Sequence, residues 1–324
     1  MDRSRRVLLA ALAAAGCAPA ALGQDRYPSR PIRLIVSFAA GTGGDALARI
    51  VGTTLGQQLG QPVVVDNRPG AGGVTGTEQG ARAAADGYTL VLGTTSTLLT
   101  NPALNPAVRY HAERDFTAIG GMARTSFVVV TANTPEAPHT LAQLLERLRD
   151  GRGSFGSAGV GTVTHLASEL LLKRTGLAAT HAPYRGSSQS LTDVAAGQLT
   201  FATDTPVAAL PLIRAGRLRA LAVTAAERLP SLPAVPTAVE SGVPGLRVAA
   251  WWGLMAPAGL PPDLTRRLSD ALLRTLAAPE VRTQLAGLEL EPLALGAPQF
   301  AALIAAELPV WTDFVRQLGL KVEF

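Results

Sequence analysis

The stretch IRLIVSFAAGTGGDALARIVGTTLGQQL, residues 32–59, decides how the rest of the chain is read. Residues 32–38 form a short apolar run that suits a buried strand. Gly41-Thr42-Gly43-Gly44 then breaks the run, and apolar residues recur at helical spacing over 45–59. A strand, a glycine-rich turn and a helix in this order open a right-handed βαβ unit.

The alternation continues outward. Residues 62–66, 88–93 and 116–120 read as further strands, with the loop Arg68-Pro69-Gly70-Ala71-Gly72-Gly73 ahead of a helix over 75–85. A second series follows, with strands at 127–131, 154–156, 180–184, 199–203 and 219–224. Helices at 141–149, 165–174 and 187–196 lie between them. A proline-rich loop, Leu229 to Pro236, interrupts the pattern. A strand at 251–256 and helices at 262–277, 279–286 and 298–318 come after it. The pattern predicts two α/β lobes with mostly parallel sheets, the C-terminal helices returning to the first lobe.

Composition bounds the chemistry. At 324 residues and 47% hydrophobic content the chain is long enough for two packed domains and too apolar for disorder. One cysteine excludes an internal disulfide and a cysteine-based metal centre. The net charge of +5 is arginine scattered along the chain, without the basic runs interleaved with aromatics that a nucleic-acid groove needs. Nucleic acid is therefore not an expected partner.

Residues 1–23, MDRSRRVLLAALAAAGCAPAALG, have the three parts of an export signal. Arg3, Arg5 and Arg6 precede a short apolar stretch, and Ala21-Leu22-Gly23 offers a cleavage site before Gln24. Arg5-Arg6 also resembles a twin-arginine signal, which leaves Sec and Tat export open. Ala14-Ala15-Gly16-Cys17 offers a lipid anchor at Cys17 as the alternative to cleavage. Both routes imply a periplasmic protein.

Catalytic signatures are missing: no nucleophile elbow, zinc-protease helix or P-loop occurs, and the four histidines lack metal-ligand spacing. No cofactor and no metal are expected. Two strand-to-helix turns remain, one per lobe: Phe38-Ala39-Ala40-Gly41-Thr42-Gly43-Gly44-Asp45, and Ser157-Ala158-Gly159-Val160-Gly161-Thr162-Val163-Thr164-His165. Their glycines let a ligand approach backbone N–H groups at a helix start, where the dipole favours an anion. Ser157, Thr162 and Thr164 add hydroxyls that can hold a carboxylate. Asp45 and Asp204 each admit two roles, as local capping or turn residues or as acceptors facing the cleft.

These residues sit within motifs that identify a family. Tyr27-Pro28-Ser29-Arg30-Pro31-Ile32, Asn67-Arg68-Pro69-Gly70-Ala71-Gly72-Gly73 and Ala85-Asp86-Gly87-Tyr88-Thr89-Leu90 come first. Gly156-Ser157-Ala158-Gly159, Pro183-Tyr184-Arg185-Gly186, Arg219-Ala220-Leu221-Ala222-Val223-Thr224 and Trp252-Gly253-Leu254 follow. In this order they resemble the substrate-binding receptors of tripartite tricarboxylate transporters, the Bug family. The resemblance implies a type II-like periplasmic binding protein fold, two α/β lobes joined by a hinge with the ligand cleft between them. It divides the chain into a signal (1–23), a first lobe (24–123 and 249–324) and a second lobe (124–248). It also implies a monomeric, non-enzymatic receptor that delivers a small organic anion bearing a carboxylate to membrane permease subunits.

The site implied is Phe38, Ala40, Gly41, Thr42, Gly43 and Asp45 on the first jaw and Ser157, Gly159, Gly161, Thr162, Thr164 and His165 on the second. Ser96, in the loop 93–101, and Asp204 complete the lining. Departures from the family pattern are Ser37 and Ala39 in place of prolines, Gly44 in place of a threonine, and Thr205 after Asp204. The alternatives are a receptor that signals to a sensor kinase, and an exported enzyme working through Asp45, Asp204 or His165.

Overall fold

The computed structural model describes residues 27–320. The export signal, its cleavage site and Cys17 lie outside the described residues. The chain builds two sheets, each wrapped by helices. In chain order the elements are β1 (Ile32–Val36), α1 (Gly43–Leu59), β2 (Val63–Asn67), α2 (Val74–Ala81), β3 (Thr89–Thr94), α3 (Asn101–Leu104) and β4 (Phe116–Ser126). The second series is β5 (Val128–Ala132), α4 (Leu141–Arg147), β6 (Ser154–Ser157), α5 (Val163–Thr175), β7 (Thr180–Pro183), α6 (Ser187–Ala195), β8 (Phe201–Asp204), α7 (Pro206–Arg214) and β9 (Leu218–Val223). The return comprises β10 (Ala249–Pro257), α8 (Pro262–Ala277), α9 (Pro279–Gly287), β11 (Glu291–Pro292) and α10 (Ala297–Leu318).

Strand order is β11-β4-β10-β3-β1-β2 in the first sheet and β7-β6-β8-β5-β9 in the second. Both sheets are mixed, which corrects the expectation of mostly parallel ones. β1 runs parallel to β2 and β3, but β10 is antiparallel to β3 and β4. Likewise β6 is parallel to β7 and β8, while β5 is antiparallel to β8 and β9. The antiparallel pairs belong to the strands that carry the chain between the sheets and back, where no βαβ crossover sets direction.

Two elements differ from the sequence pattern for physical reasons. β4 extends to Ser126 instead of ending near Gly120, because β10 pairs with it from Pro257↔Phe116 to Ala249↔Ser126. Gly120 and Gly121 are tolerated inside it because Leu295 and Leu293 carbonyls press against them, leaving no room for a Cβ. Helix α7 went unread behind Pro206 and Pro211. Pro206 occupies the first turn, where no N–H is needed, and Pro211 gives up a single bond within a short helix.

The crossings lie side by side. Phe127 N–H donates to Thr224 Oγ1 (2.9 Å), and Thr224 Oγ1 donates to the Val248 carbonyl (2.7 Å). Thr224 N–H also donates to the Phe127 carbonyl. One buried threonine thus laces both connecting segments. Helix α10 spans the seam: Phe300 and Ile304 pack with Trp251 and Met255, while Phe314 and Leu318 pack against the second lobe's core.

Gly253 in β10 leaves the space that the Phe300 ring fills, and Phe300 is fully buried. Gly253→Ala would put a Cβ inside that ring's volume, so equilibrium denaturant unfolding should show a loss of about 1–3 kcal/mol. Unchanged stability would mean that α10 is not wedged against β10.

Candidate functional site

The first jaw is the turn from β1 into α1. Thr42 caps the helix, accepting from Asp45 N–H at 3.4 Å while donating to the Ala39 carbonyl at 3.0 Å. Asp45 is buried with its carboxylate engaged from every side. It accepts from Gly41 N–H (3.1 Å), from Arg49 (2.9 and 3.1 Å) and from the Asn67 amide (3.0 Å). Burial alone would raise its pKa, but Arg49, Gly41 and Asn67 together hold it below the ordinary carboxylate value. Asp45 therefore braces the turn. The N–H groups of Gly43 and Gly44, at the first positions of α1, have no partner among the described residues.

The second jaw is the turn from β6 into α5. Thr162 caps α5, accepting from His165 N–H at 3.4 Å, and its hydroxyl donates to the Gly159 carbonyl at 2.6 Å. Thr164 Oγ1 accepts from Ala158 N–H (3.0 Å) and lies 2.9 Å from Thr162 Oγ1. Behind the turn, His165 and His181 stack with ring centroids 4.0 Å apart, next to Phe155. His165 Nδ1 accepts from Gly161 N–H at 3.3 Å, its Nε2 lies 3.5 Å from Glu169, and Ser157 Oγ lies 2.7 Å from His181 Nε2. Sequence spacing gave no sign of this pair.

The jaws meet. Ser96 Oγ, at the head of a π-helical segment (Ser96–Thr100), accepts from Val163 N–H of the opposite lobe at 3.0 Å. Thr100 donates to the Gly161 carbonyl, and Ser188 to the Gly41 carbonyl. Gly72 faces the Val160 carbonyl so closely that a side chain would part the lobes, and its φ of +62° suits glycine.

Between the jaws lies a cavity. Phe38, Thr42, Gly43, Gly44, Thr94, Thr95 and Ser96 line it from the first lobe, and Ala158, Thr162, Val163, Thr164, Ser187 and Thr205 from the second. Phe127, Ala250, Trp251 and Trp252 close it at the crossings. Its volume is about 60 Å3, space for about four to six waters. Among the described residues, no charged side chain is in the lining.

Of the expected residues, Phe38, Thr42, Gly43, Ser96, Thr162 and Thr164 line the cavity directly. Gly41 and Ala40 lie exposed at the rim; Ser157, Gly159, Gly161 and His165 lie behind the second jaw. Asp204 is fully buried just behind the wall: its Oδ1 accepts from Ser187 Oγ (2.8 Å) and Thr205 N–H (2.7 Å), while Oδ2 has no partner among the described residues. Burial pushes its pKa up to about 6 against the hydrogen bonds of Ser187 and Thr205. Sequence reading missed Trp251, Trp252, Phe127, Ser187 and Thr205, while Thr95 lies in the loop 93–101 that it had placed at the cleft. The tryptophan pair opening a predicted strand, and the hydroxyl residue after Asp204, were the available signals.

Comparison with known proteins agrees with this architecture. The family described as "Tripartite tricarboxylate transporter family receptor" matches residues 47–320. Three solved structures are similar throughout. The periplasmic binding protein BugD has 30% identity and a TM-score of 0.87, over 92% of this chain and 100% of that one. MatC from Rhodopseudomonas palustris, with bound malate, has 32% identity and a TM-score of 0.84, over 89% and 100%. An R. palustris protein with adipate has 31% identity and a TM-score of 0.87, over 90% and 98%. The two-lobed fold of periplasmic binding proteins is thus shared, and the chain belongs to the receptor family of the tripartite tricarboxylate transporters.

Proposed function

We propose that the protein is a periplasmic, monomeric receptor that captures a small carboxylate between its lobes and presents the closed complex to permease subunits of a tripartite tricarboxylate transporter. The observation that carries this reading is the cavity itself. It is closed from both sides by helix starts and hydroxyls and, among the described residues, has no cationic side chain in its lining, which is how fixed backbone dipoles hold an anion. The malate and adipate complexes of its structural relatives support the carboxylate class.

The first sheet with its helices moves as one body and the second sheet with its helices as the other, hinged at the segments laced by Thr224. Phe38, Thr42, Gly43, Ser96, Thr162 and Thr164 contact the ligand. Asp45, Ser157, Gly159, Gly161 and His165 shape the jaws, with Ala40 and Gly41 at the rim, and Asp204 orients Ser187 and Thr205. The ligand binds both lobes in the closed state and one lobe in the open state, and this difference drives closure. The ligand leaves chemically unchanged, and export by the Sec or Tat route delivers the receptor to the periplasm.

Calorimetry of the purified full chain, freed of retained ligand, against mono-, di- and tricarboxylates, aromatic acids and acidic amino acids should give saturable one-to-one binding to at least one acid. A complete lack of binding, or conversion of a bound acid into product, would overturn the reading.

Ser96→Ala removes the acceptor that Val163 N–H finds across the cleft. Losing one such bond from the closed state alone, about 1 kcal/mol, should weaken affinity roughly five-fold. Equal affinity in the variant would mean that this contact is absent from the bound form.

The second jaw has its own pH dependence. Burial first, and the neighbouring His165 second, lower the His181 pKa from 6.5 to about 3. The unfolded chain then takes up a proton that the folded protein refuses, so stability is lost as pH falls from 6.5 towards 3. Melting temperature should therefore decline over this range more steeply in the native protein than in His181→Gln; parallel curves would contradict the buried neutral imidazole.

A further inference from the structure

The walls of the cavity differ in what they offer a ligand. On the first lobe, Gly43 and Gly44 are consecutive residues at the start of a 17-residue helix, and their N–H groups are open. Trp252 stands beside them. A Cβ on Gly44 would lie 3.0 Å from its indole Nε1, which has no hydrogen-bond partner among the described residues; the residue is only 7% exposed and lines the cavity. Thr95 and Ser96 complete this wall. Their oxygens accept from Trp251 N–H and Val163 N–H, which leaves both hydroxyl hydrogens for a ligand.

The second-lobe wall is the reverse. Thr162 donates its hydrogen to the Gly159 carbonyl, so Thr164 donates to Thr162. Ser187 donates to Asp204 Oδ1, and Thr205 Oγ1 faces the same oxygen at 3.4 Å. Each of these hydroxyls has its hydrogen engaged and presents lone pairs to the cavity. The N–H groups still open here, of Thr164 and Ser187, belong to different helices. Asp204 already occupies the position where the starts of α6 and α7 would draw an anion. The remaining lining, Phe127, Ala158, Val163 and Trp251, is apolar.

From this asymmetry we infer that the ligand is a compact monocarboxylate with an apolar, ring-sized or branched body. Its single carboxylate is seated on Gly43, Gly44 and Trp252 of the first lobe, and its body lies against the second. The inference rests on the receptor reading and narrows it. A second carboxylate would meet oxygen lone pairs and the Asp204 charge, and the space, about four to six waters, leaves it nowhere else to go. A hydroxyl on the body is compatible, because the second-lobe oxygens can accept its hydrogen.

The test compares benzoate and 3-methylbutanoate with malate and adipate by calorimetry on the full chain. The expected result is at least tenfold tighter binding of a monocarboxylate. Tighter binding of malate or adipate overturns this inference and leaves the receptor reading standing; binding of no carboxylate removes both. Trp252→Phe, which keeps the ring and removes the N–H, should weaken benzoate about tenfold with the thermal unfolding of the free protein little changed. Equal benzoate affinity in that variant overturns the proposed seat. Asp204→Asn, which keeps an acceptor for Ser187 and removes the charge, should narrow the preference for benzoate over malate by about tenfold. An unchanged preference overturns the charge argument independently of Trp252.

Discussion

The structure depends on a single constraint: the chain passes from one sheet to the other and back through two adjacent strands of backbone. Thr224 ties these passages together: its N–H donates to the Phe127 carbonyl, and its hydroxyl accepts from Phe127 N–H while donating to the Val248 carbonyl. Lying beside each other, the passages form a double hinge instead of one flexible link, so the lobes can swing but not slide. The same segments supply Phe127, Ala250 and Trp251 to the cavity. Its floor is thus fixed by the hinge, while its walls are carried by the jaws. A ligand seated there touches the pivot and both moving bodies at once, which a cleft further from the hinge would not permit.

The mode of anion binding follows from where the charges are. Among the described residues the arginines lie outside the cavity lining, many of them in surface pairs such as Arg124–Glu291 and Arg228–Glu240. Exposed pairs of this kind add little stability. The N–H groups of Gly43 and Gly44 are fixed by the helix that follows, so they need no ordering when a ligand arrives. Asp45 could have neutralised that helix start. Arg49 and Asn67 instead hold its carboxylate on Gly41 N–H, which leaves the first two N–H groups of the helix open.

Much of this architecture was legible in the sequence, since apolar runs and glycine turns report local geometry. The 32–59 stretch became β1 and α1 almost residue for residue, and the family motifs gave the return of the chain to the first sheet. Strand direction was not legible, because pairing of β10 with β3 and β4 depends on where the chain re-enters. Of the site, the turns were visible because glycine and threonine mark a helix start wherever it lies. The tryptophans were not, because a tryptophan in a strand looks the same whether it fills a core or floors a cavity. The His165–His181 stack was hidden for a related reason: residues sixteen apart on a helix and a strand meet only through the packing of α5 across the second sheet, on β8 and β6.

The asymmetry of the cavity bears on the order of events as well as on the ligand. In an open receptor the two jaws are separately accessible, and an anion is drawn first to the wall with unpaired donors. That wall belongs to the first lobe, where Gly43, Gly44 and Trp252 converge, and the approach to the second lobe is opposed by Asp204. If the ligand is the monocarboxylate inferred above, the encounter complex would form on the first lobe, with the apolar body of the ligand still exposed to water. Closure would then bury that body against Phe127, Ala158 and Val163 and bring Val163 N–H to Ser96. On this account the polar interaction selects the ligand, and the hydrophobic gain of burying its body drives the lobes together. A carboxylate without an apolar body would dock on the first lobe and contribute little to closing it, so the receptor would discriminate at closure.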